Sequence, residues 1–365
     1  MKIAILTPGG VDRSGTGRVI PCLLWLIERL AAAGDEVHVF AFSQEPEPGR
    51  WPLLGAQVHN AGRWPRSLRV ARMLIAEHRR APFDVLHAFW ALPSGFVAAL
   101  LGRWLRRPLL LTLPGGDVTF LPEIGYGSLG RRRDRLRVRI ATAAASRITA
   151  PSGFLREQAM RAGVEAVVVP LGVALDRWPP RPPRGRDPDA PLRLLHVGSL
   201  NRVKDQGSLL EAAALLKRRR LCFLLDIVGE DTLGGAVQRR ATALGLDANV
   251  RFHGAVSHQA LRPFMEQADL LVVSSRNEAG PVAVLEAAVA GVPTVGTNVG
   301  HIADFAPEAA VAVPVGAAAA LADAIARTAS DEPERLRLAG AAQARALARD
   351  ADFTAAEFRR LYAGS

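Results

Sequence analysis
The chain has 365 residues, 49 % of them apolar, which suffices for two hydrophobic cores and suggests two domains. Its two cysteines, Cys22 and Cys222, lie in apolar surroundings; they exclude a disulfide framework and fit a reducing compartment. The net charge of +11 lies almost wholly in the first half and points to an anionic partner there, while sparse aromatics and the lack of a recognised motif argue against nucleic acid.

Lys2 leads straight into an apolar strand ending at Thr7, so no secretory leader is expected, and no apolar run reaches the roughly 18 residues of a membrane span. A flexible loop from Pro8 to Gly17 follows, then a helix from Arg18 to Ala33 closed by Gly34, then a strand from Val37 to Phe42. This is the opening of a Rossmann-like half. Gly15 and Gly17 form a G-x-G with Ile at position 20, so the dinucleotide fingerprint is incomplete. Residues 44–66, rich in Pro, Gly and Trp, read as a loop, and Arg69 to Arg80 as a helix with a basic face.

The next strand ends in His87, Phe89 and Trp90. At the C-terminal edge of a parallel sheet His87 would face a cleft and act on a substrate hydroxyl; the plainer reading is a packed, hydrogen-bonded histidine. Pro108 to Leu113 is a strand that runs into Pro114-Gly115-Gly116-Asp117, where Asp117 is a candidate for binding substrate hydroxyls. Arg131 to Ala145 is a strongly basic helix with Leu136, Ile140 and Ala143 on one side. Such a helix can lie on an anionic bilayer or simply cover the sheet. Ile148 to Pro151 and Val167 to Pro170 are the last strands of this half.

Pro179 to Pro191 is a stiff, polar linker, and its Asp187-Pro188-Asp189 matches a metal-binding D-x-D only by letters. Leu192 to Val197 opens a second Rossmann-like sheet, followed by the loop from Gly198 to Gln206 and a helix to Arg218. Lys204 in that loop is one of three lysines in a chain with 43 arginines, which favours a specific use of its ammonium. Leu221 to Val228 and Val250 to Gly254 are strands. Ser274 to His301 carries the most information. Leu270 to Val273 is a buried strand, Ser274 to Pro281 a loop, Val282 to Ala290 a helix, and Gly291 with Pro293 its stop before a strand from Val292. The loop places backbone N–H groups at a helix N-terminus, where anions bind. Glu278 lies in the loop and Glu286 in the second turn, where a carboxylate can accept both hydroxyls of a ribose; a solvated surface glutamate is the plainer alternative.

Glu278 and Glu286, seven residues between them, followed by AAVAGVPTVGTNVGH, resemble the E-x7-E signature of the family 4 glycosyltransferases. The resemblance implies a retaining enzyme of α/β class with the GT-B fold, two Rossmann-like domains facing a central cleft. It implies that Glu286 holds the donor ribose and that Glu278, with Gly280 and Pro281, holds the donor sugar. It assigns the first glycine loop, Gly9 and Gly10 especially, to the cleft, and Lys204 to the donor diphosphate. Ser199 stands where the family has Arg, and Arg202 is taken as the substitute cation. Pro114 replaces a His that commonly contacts the sugar, while Gly115 and Asp117 match; His87 is the compensating candidate. Asp117 and Arg13 are the candidates for acceptor or sugar contacts.

The expectations are therefore a nucleotide-sugar donor, no cofactor and no metal, and a glycan, lipid-linked or small-molecule acceptor. The expected location is cytoplasmic, with the basic first domain able to dock on the inner face of the plasma membrane. The expected domains are 1–175, a linker 176–191, 192–350, and a terminal helix 351–365 that returns to the first domain. Glu278 and His87 are the catalytic candidates. Without a metal, cations and helix-end amides must stabilise the leaving diphosphate. The alternative is a weak or inactive nucleotide- or glycan-binding partner subunit, motivated by Pro114 and Ser199.

Overall fold
A computed structural model describes residues 1–364, which divide into two compact units, 1–174 with 349–364, and 175–348. The first unit holds β1 (Lys2–Thr7), β2 (Glu36–Ala41), β3 (Gly49–Leu53), β4 (Ala56–Asn60), β5 (Val85–Phe89), β6 (Leu109–Thr112), β7 (Arg147–Ala150) and β8 (Val167–Val168). They form one sheet in the order β3-β4-β2-β1-β5-β6-β7-β8. Strands β1, β5 and β6 are buried along their whole length and mostly apolar because helices cover both faces of a parallel sheet.

Residues 44–66 are not the loop that their composition suggests. They hold the antiparallel hairpin β3–β4, turned at Leu54 and Gly55, both at positive φ (50° and 81°). Trp51 and Leu53 are buried while Arg50 and Pro52 are exposed, the alternation of a one-sided strand. β3 is the sheet edge, where Pro52 costs no ladder bond.

The helix Arg132–Ala144 buries Val138 and Ala141. The apolar side read from the sequence faces the other way: Leu136 is 60 % exposed and Ile140 36 %. The terminal helix Ala351–Ala363 packs in the first unit against the helix Pro21–Ala32. Arg359 and the N-terminal ammonium both bind the buried Asp35, at 3.0 and 2.9 Å. Thr354 donates to the carbonyl of Pro170 (2.7 Å) and accepts from the amide of Gly172 (2.9 Å).

The second unit holds β9 (Leu192–Val197), β10 (Phe223–Val228), β11 (Val250–Gly254), β12 (Leu270–Val273), β13 (Thr294–Thr297) and β14 (Ala310–Val313). All are parallel, in the order β11-β10-β9-β12-β13-β14. The order reverses between β9 and β12, and in such sheets ligands bind beyond the C-terminal strand ends at that point. Its core gathers Leu194, Leu225, Leu270, Val295, Leu209 and Ile325.

The proline-rich segment is fastened to this unit rather than free. The amide of Arg181 donates to the carbonyl of Val289 (3.0 Å), and the Arg184 guanidinium donates to the carbonyls of Gln267 (2.7 Å) and Ala268 (3.0 Å). Those carbonyls end the helix His258–Gln267, so the arginine caps it. Arg335, almost fully buried, donates to the carbonyl of Arg184 (2.6 Å) and pairs with Glu332 (2.7 Å).

At Gly172 an added Cβ would stand 2.2 Å from the carbonyl oxygen of Arg349 and 2.3 Å from the carbonyl carbon of Asp350. Gly172→Ala is therefore expected to push the terminal helix off its seat and cost about 1–3 kcal/mol, read as a lower urea midpoint. An unchanged midpoint would show that the chain gives way there freely.

Candidate active site
The second unit brings two loops together beyond β9 and β12. Gly198 sits at φ +156°, and a Cβ there would meet the Lys204 side chain at 3.1 Å, so glycine makes room for the lysine stem. Lys204 Nζ reaches Glu278 Oε1 at 2.5 Å, and Ser275 Oγ donates to the same oxygen at 2.6 Å. Three more bonds join the loops. Ser274 donates to the carbonyl of Lys204 (2.8 Å), the amide of Arg276 donates to the carbonyl of Val203 (2.7 Å), and the Arg276 guanidinium pairs with Asp205 (3.1 Å). Asp205 also caps the helix Gln206–Arg218 by accepting from the amide of Ser208. His196 lies buried beneath, its Nδ1–H donating to the carbonyl of Val272 (2.9 Å) and its Nε2 3.2 Å from the Gln206 amide. Burial holds its pKa down to about 4, and the nearby Lys204 adds to that, so the ring is neutral at neutral pH.

Glu278 sits just before the helix Val282–Val289, whose N-terminus has no side-chain cap. The amides that follow it belong to Ala279 and Gly280, whereas Pro281 has no N–H and contributes only the φ that starts the helix. Its ring seats the later turn. At Gly300, φ is +53°, and a Cβ would stand 2.8 Å from Pro281 Cδ and 3.0 Å from Glu278 Cβ. Arg202 is exposed and makes no hydrogen bond or ion pair among the described residues, which leaves its guanidinium available to an anion.

Glu286 is not a solvated surface glutamate. It is 3 % exposed, and its Oε1 is 2.6 Å from His258 Nε2. Trp178 donates its indole N–H to the backbone carbonyl of Glu286 (3.1 Å) and lies against the His258 ring, with centroids 4.9 Å apart. His258 and Trp178 were not singled out in the sequence. They lie 28 and 108 residues from Glu286, and no spacing rule links them. Ser275, three residues before Glu278, was in principle visible as a short-range partner.

The first-unit candidates are gathered into their own unit's framework. His87 is a correction: it does not open to a cleft but has no exposed surface. Its Nδ1 meets the Tyr362 hydroxyl and its Nε2 the Thr112 hydroxyl, each at 2.7 Å, and Thr112 continues to Thr149 at 2.7 Å. Burial lowers its pKa to about 3. The return of the terminal helix over β5 seals it. The amide of Gly10 is likewise engaged, donating to Gln44 Oε1 at 2.7 Å with that of Val11 at 3.0 Å, and Gly9 packs on the same oxygen. Gly10 holds φ +86° with Ile20 over it, so this glycine is required by its own turn. Arg13 pairs with Glu45 (2.7 Å) and stacks on Trp51, 4.6 Å from the ring centroid.

Asp117 is 2 % exposed and accepts from the amide of Ala91 at 2.8 Å, while its Oδ2 has no hydrogen-bond partner among the described residues. Burial raises its pKa to about 7 against the pull of the backbone bonds.

A family model described as "Glycosyl transferases group 1" matches residues 182–345, and one described as "Glycosyltransferase Family 4" matches residues 22–177. A D-inositol 3-phosphate glycosyltransferase of Pseudarthrobacter chlorophenolicus is 30 % identical over 329 residues, 81 % of this chain and 76 % of its own. A protein of Bacillus subtilis (strain 168), provisionally named as the teichuronic acid biosynthesis glycosyltransferase TuaC, is also 30 % identical, over 254 residues; the match covers 67 % of this chain and 61 % of that one. Among solved structures, Anabaena HepE in complex with UDP-glucose superimposes with a TM-score of 0.77 at 19 % identity, over 100 % of both chains. At that identity the likeness establishes a shared fold.

Asp117, at about 7 in the folded chain and near 4 unfolded, binds its proton more tightly when folded. Its contribution to stability is full below pH 4 and declines as pH rises toward 7. Asp117→Asn keeps the bond from Ala91 and removes the titration. The variant should gain on the wild type between pH 5 and pH 8 in urea midpoint; parallel pH curves would count against a buried, protonated Asp117.

Proposed function
The chain belongs to the group 1 glycosyltransferases, and from that premise we propose that it moves a sugar, with retention of anomeric configuration, from a nucleotide-sugar donor to a glycan, lipid-linked or small-molecule acceptor in cell-envelope or exopolysaccharide synthesis. The observation that carries this reading is the Lys204–Glu278 pair at the strand-order reversal of the second unit. A cation and a carboxylate are held side by side there, one suited to a diphosphate and the other to a sugar hydroxyl.

In this reading Lys204 and the unpaired Arg202 take up the charge that grows on the diphosphate as the sugar–phosphate bond breaks. Glu278 and the amides of Ala279 and Gly280 hold the sugar. The acceptor hydroxyl attacks from the face the diphosphate leaves, and its proton passes to the departing phosphate oxygen, so no metal is needed. Glu286 holds the ribose through Oε2, with His258 fixing the other oxygen. UDP-glucose, named in the HepE complex, is the first donor to try.

A second reading, a binding subunit of low activity, is favoured by the burial of His87. The group expected to compensate for Pro114 has no exposed surface.

Calorimetric titration with a panel of nucleotide sugars tests the site. Glu286→Ala and Lys204→Ala each remove a charge-assisted bond of roughly 1.5–3 kcal/mol and should weaken the preferred donor about 10- to 100-fold. Unchanged affinity in both would reject the assignment. Slow donor hydrolysis by the wild type supports the enzyme, whereas tight binding without turnover, even with a range of acceptors, supports the binding subunit.

The proposed acceptor side is an anionic membrane surface, approached by the first unit. Leu136, Ile140, Trp104 (59 % exposed) and Leu100 (54 %) stand out among the arginines of residues 131–139 and 103–107. Leu100 also lines an open groove of about 700 Å³ with Leu68, Leu92 and Phe96. Among the described residues no helix is long and apolar enough to cross a membrane; in this reading the contact is peripheral and on the cytoplasmic face. The chain should sediment with phosphatidylglycerol-containing vesicles and be released by salt, and Leu136→Glu with Ile140→Glu should weaken that binding at least tenfold. Equal sedimentation of the double variant would move the docking surface elsewhere.

A further inference from the structure
His38 on β2, His59 on β4 and Glu77 on the helix Arg66–Arg80 converge inside the first unit, and all three are buried. One ligand atom from each lies within 4.8 Å of the other two. His38 Nδ1 and His59 Nε2 are 3.0 Å apart. Two imidazole nitrogens on one tetrahedral zinc stand about 3.3 Å apart, so the histidine pair is already near that spacing and Glu77 has the longer approach to make.

The surroundings prepare the rings for this use. His38 Nε2 lies 2.9 Å from Glu36 Oε1, which makes it the N–H that donates to the carboxylate and leaves the Nδ1 lone pair aimed at the cluster. A carboxylate behind a ligating imidazole is the usual support of a metal-bound histidine. On His59, Nδ1 is buried with no partner, so no group fixes that ring's tautomer from behind. Its proton can move to Nδ1 and free Nε2. Phe40 stacks on His59 (centroids 4.7 Å) and Phe83 meets His38 edge-on (5.5 Å), which holds both rings in place.

We propose that His38, His59 and Glu77 bind one divalent transition-metal ion that ties β2, β4 and the helix Arg66–Arg80 together. Two imidazoles and a carboxylate suit zinc, cobalt or nickel rather than magnesium or calcium. The ion's role is structural; it belongs to the first unit and has no part in the donor chemistry assigned to the second. Two neighbours oppose it. Lys2 Nζ is 3.0 Å from Glu36 and 3.8 Å from Glu77, and Arg80 pairs with Glu77 at 3.2 Å, so both carboxylates already have a cation. Lys2 therefore sets the affinity, and Lys2→Met should tighten the site.

The full chain, purified with chelator, is titrated with zinc by calorimetry and with cobalt by visible absorption. One ion per chain is expected, with d–d bands of a four- or five-coordinate cobalt and a raised melting temperature. His59→Phe, which keeps the stack on Phe40, and Glu77→Gln, which keeps shape, should each weaken zinc at least tenfold with an unchanged circular dichroism spectrum. Lys2→Met should strengthen it. If His59→Phe fails to fold, Glu77→Gln alone decides. No stoichiometric binding, or binding that Glu77→Gln and Lys2→Met leave unchanged, overturns the proposal.

Discussion
Lys204 and Glu278 are 74 residues apart and meet because β9 and β12 lie side by side with their C-terminal ends at one edge. Everything assigned to the candidate site depends on that adjacency. Parallel strands place their following loops on one edge, and the reversal of strand order opens a gap between two loops that run to opposite sides. Here the gap is braced by the Arg276–Asp205 pair and by two bonds to the backbone of Val203 and Lys204. The cation and the carboxylate are thus positioned by the folded sheet before any ligand arrives, which limits the cost of reorganisation.

The same economy of position explains the histidines. His87 and His196 occupy equivalent places, each a buried ring on a central strand with both nitrogens engaged. Each is held neutral by burial, which at His196 outweighs the opposing pull of the Val272 carbonyl and Glu278. His87 relays hydrogen bonds from the terminal helix through Thr112 to Thr149, so it fastens the last helix to the sheet. A polar chain with every member satisfied specifies one seating of that helix more sharply than apolar packing does.

The two units use arginine differently. In the second, Arg335 is buried and paired with Glu332, and Arg184, at the surface, caps a helix and pairs with Asp269, so both charges are matched locally. In the first, the arginines of the helix Arg132–Ala144 stay in solvent beside exposed Leu136 and Ile140. The uneven net charge of the chain thus becomes a surface property of one unit only. A wet basic face with apolar side chains standing from it is the composition that an anionic bilayer attracts.

The sequence alone determined the wound α/β class, most helices and strands, and the loop–helix–strand stretch around Glu278 and Glu286. Those follow from local rules: runs of buried strand residues, glycine and proline stops, and a seven-residue spacing that survives folding because it lies on one loop and one helix. It misled at residues 44–66, where Pro, Gly and Trp composition masked an edge hairpin, and at the helix Arg132–Ala144, where several faces carry apolar residues and only packing chose Val138 and Ala141. Only the tertiary structure decided that Glu286 is paired with His258, that His87 is sealed beneath Tyr362, and that Gly10 is already bonded to Gln44. Each of these depends on which distant element covers a side chain. Burial and partnership are properties of neighbours in space, and local spacing along the chain does not encode them.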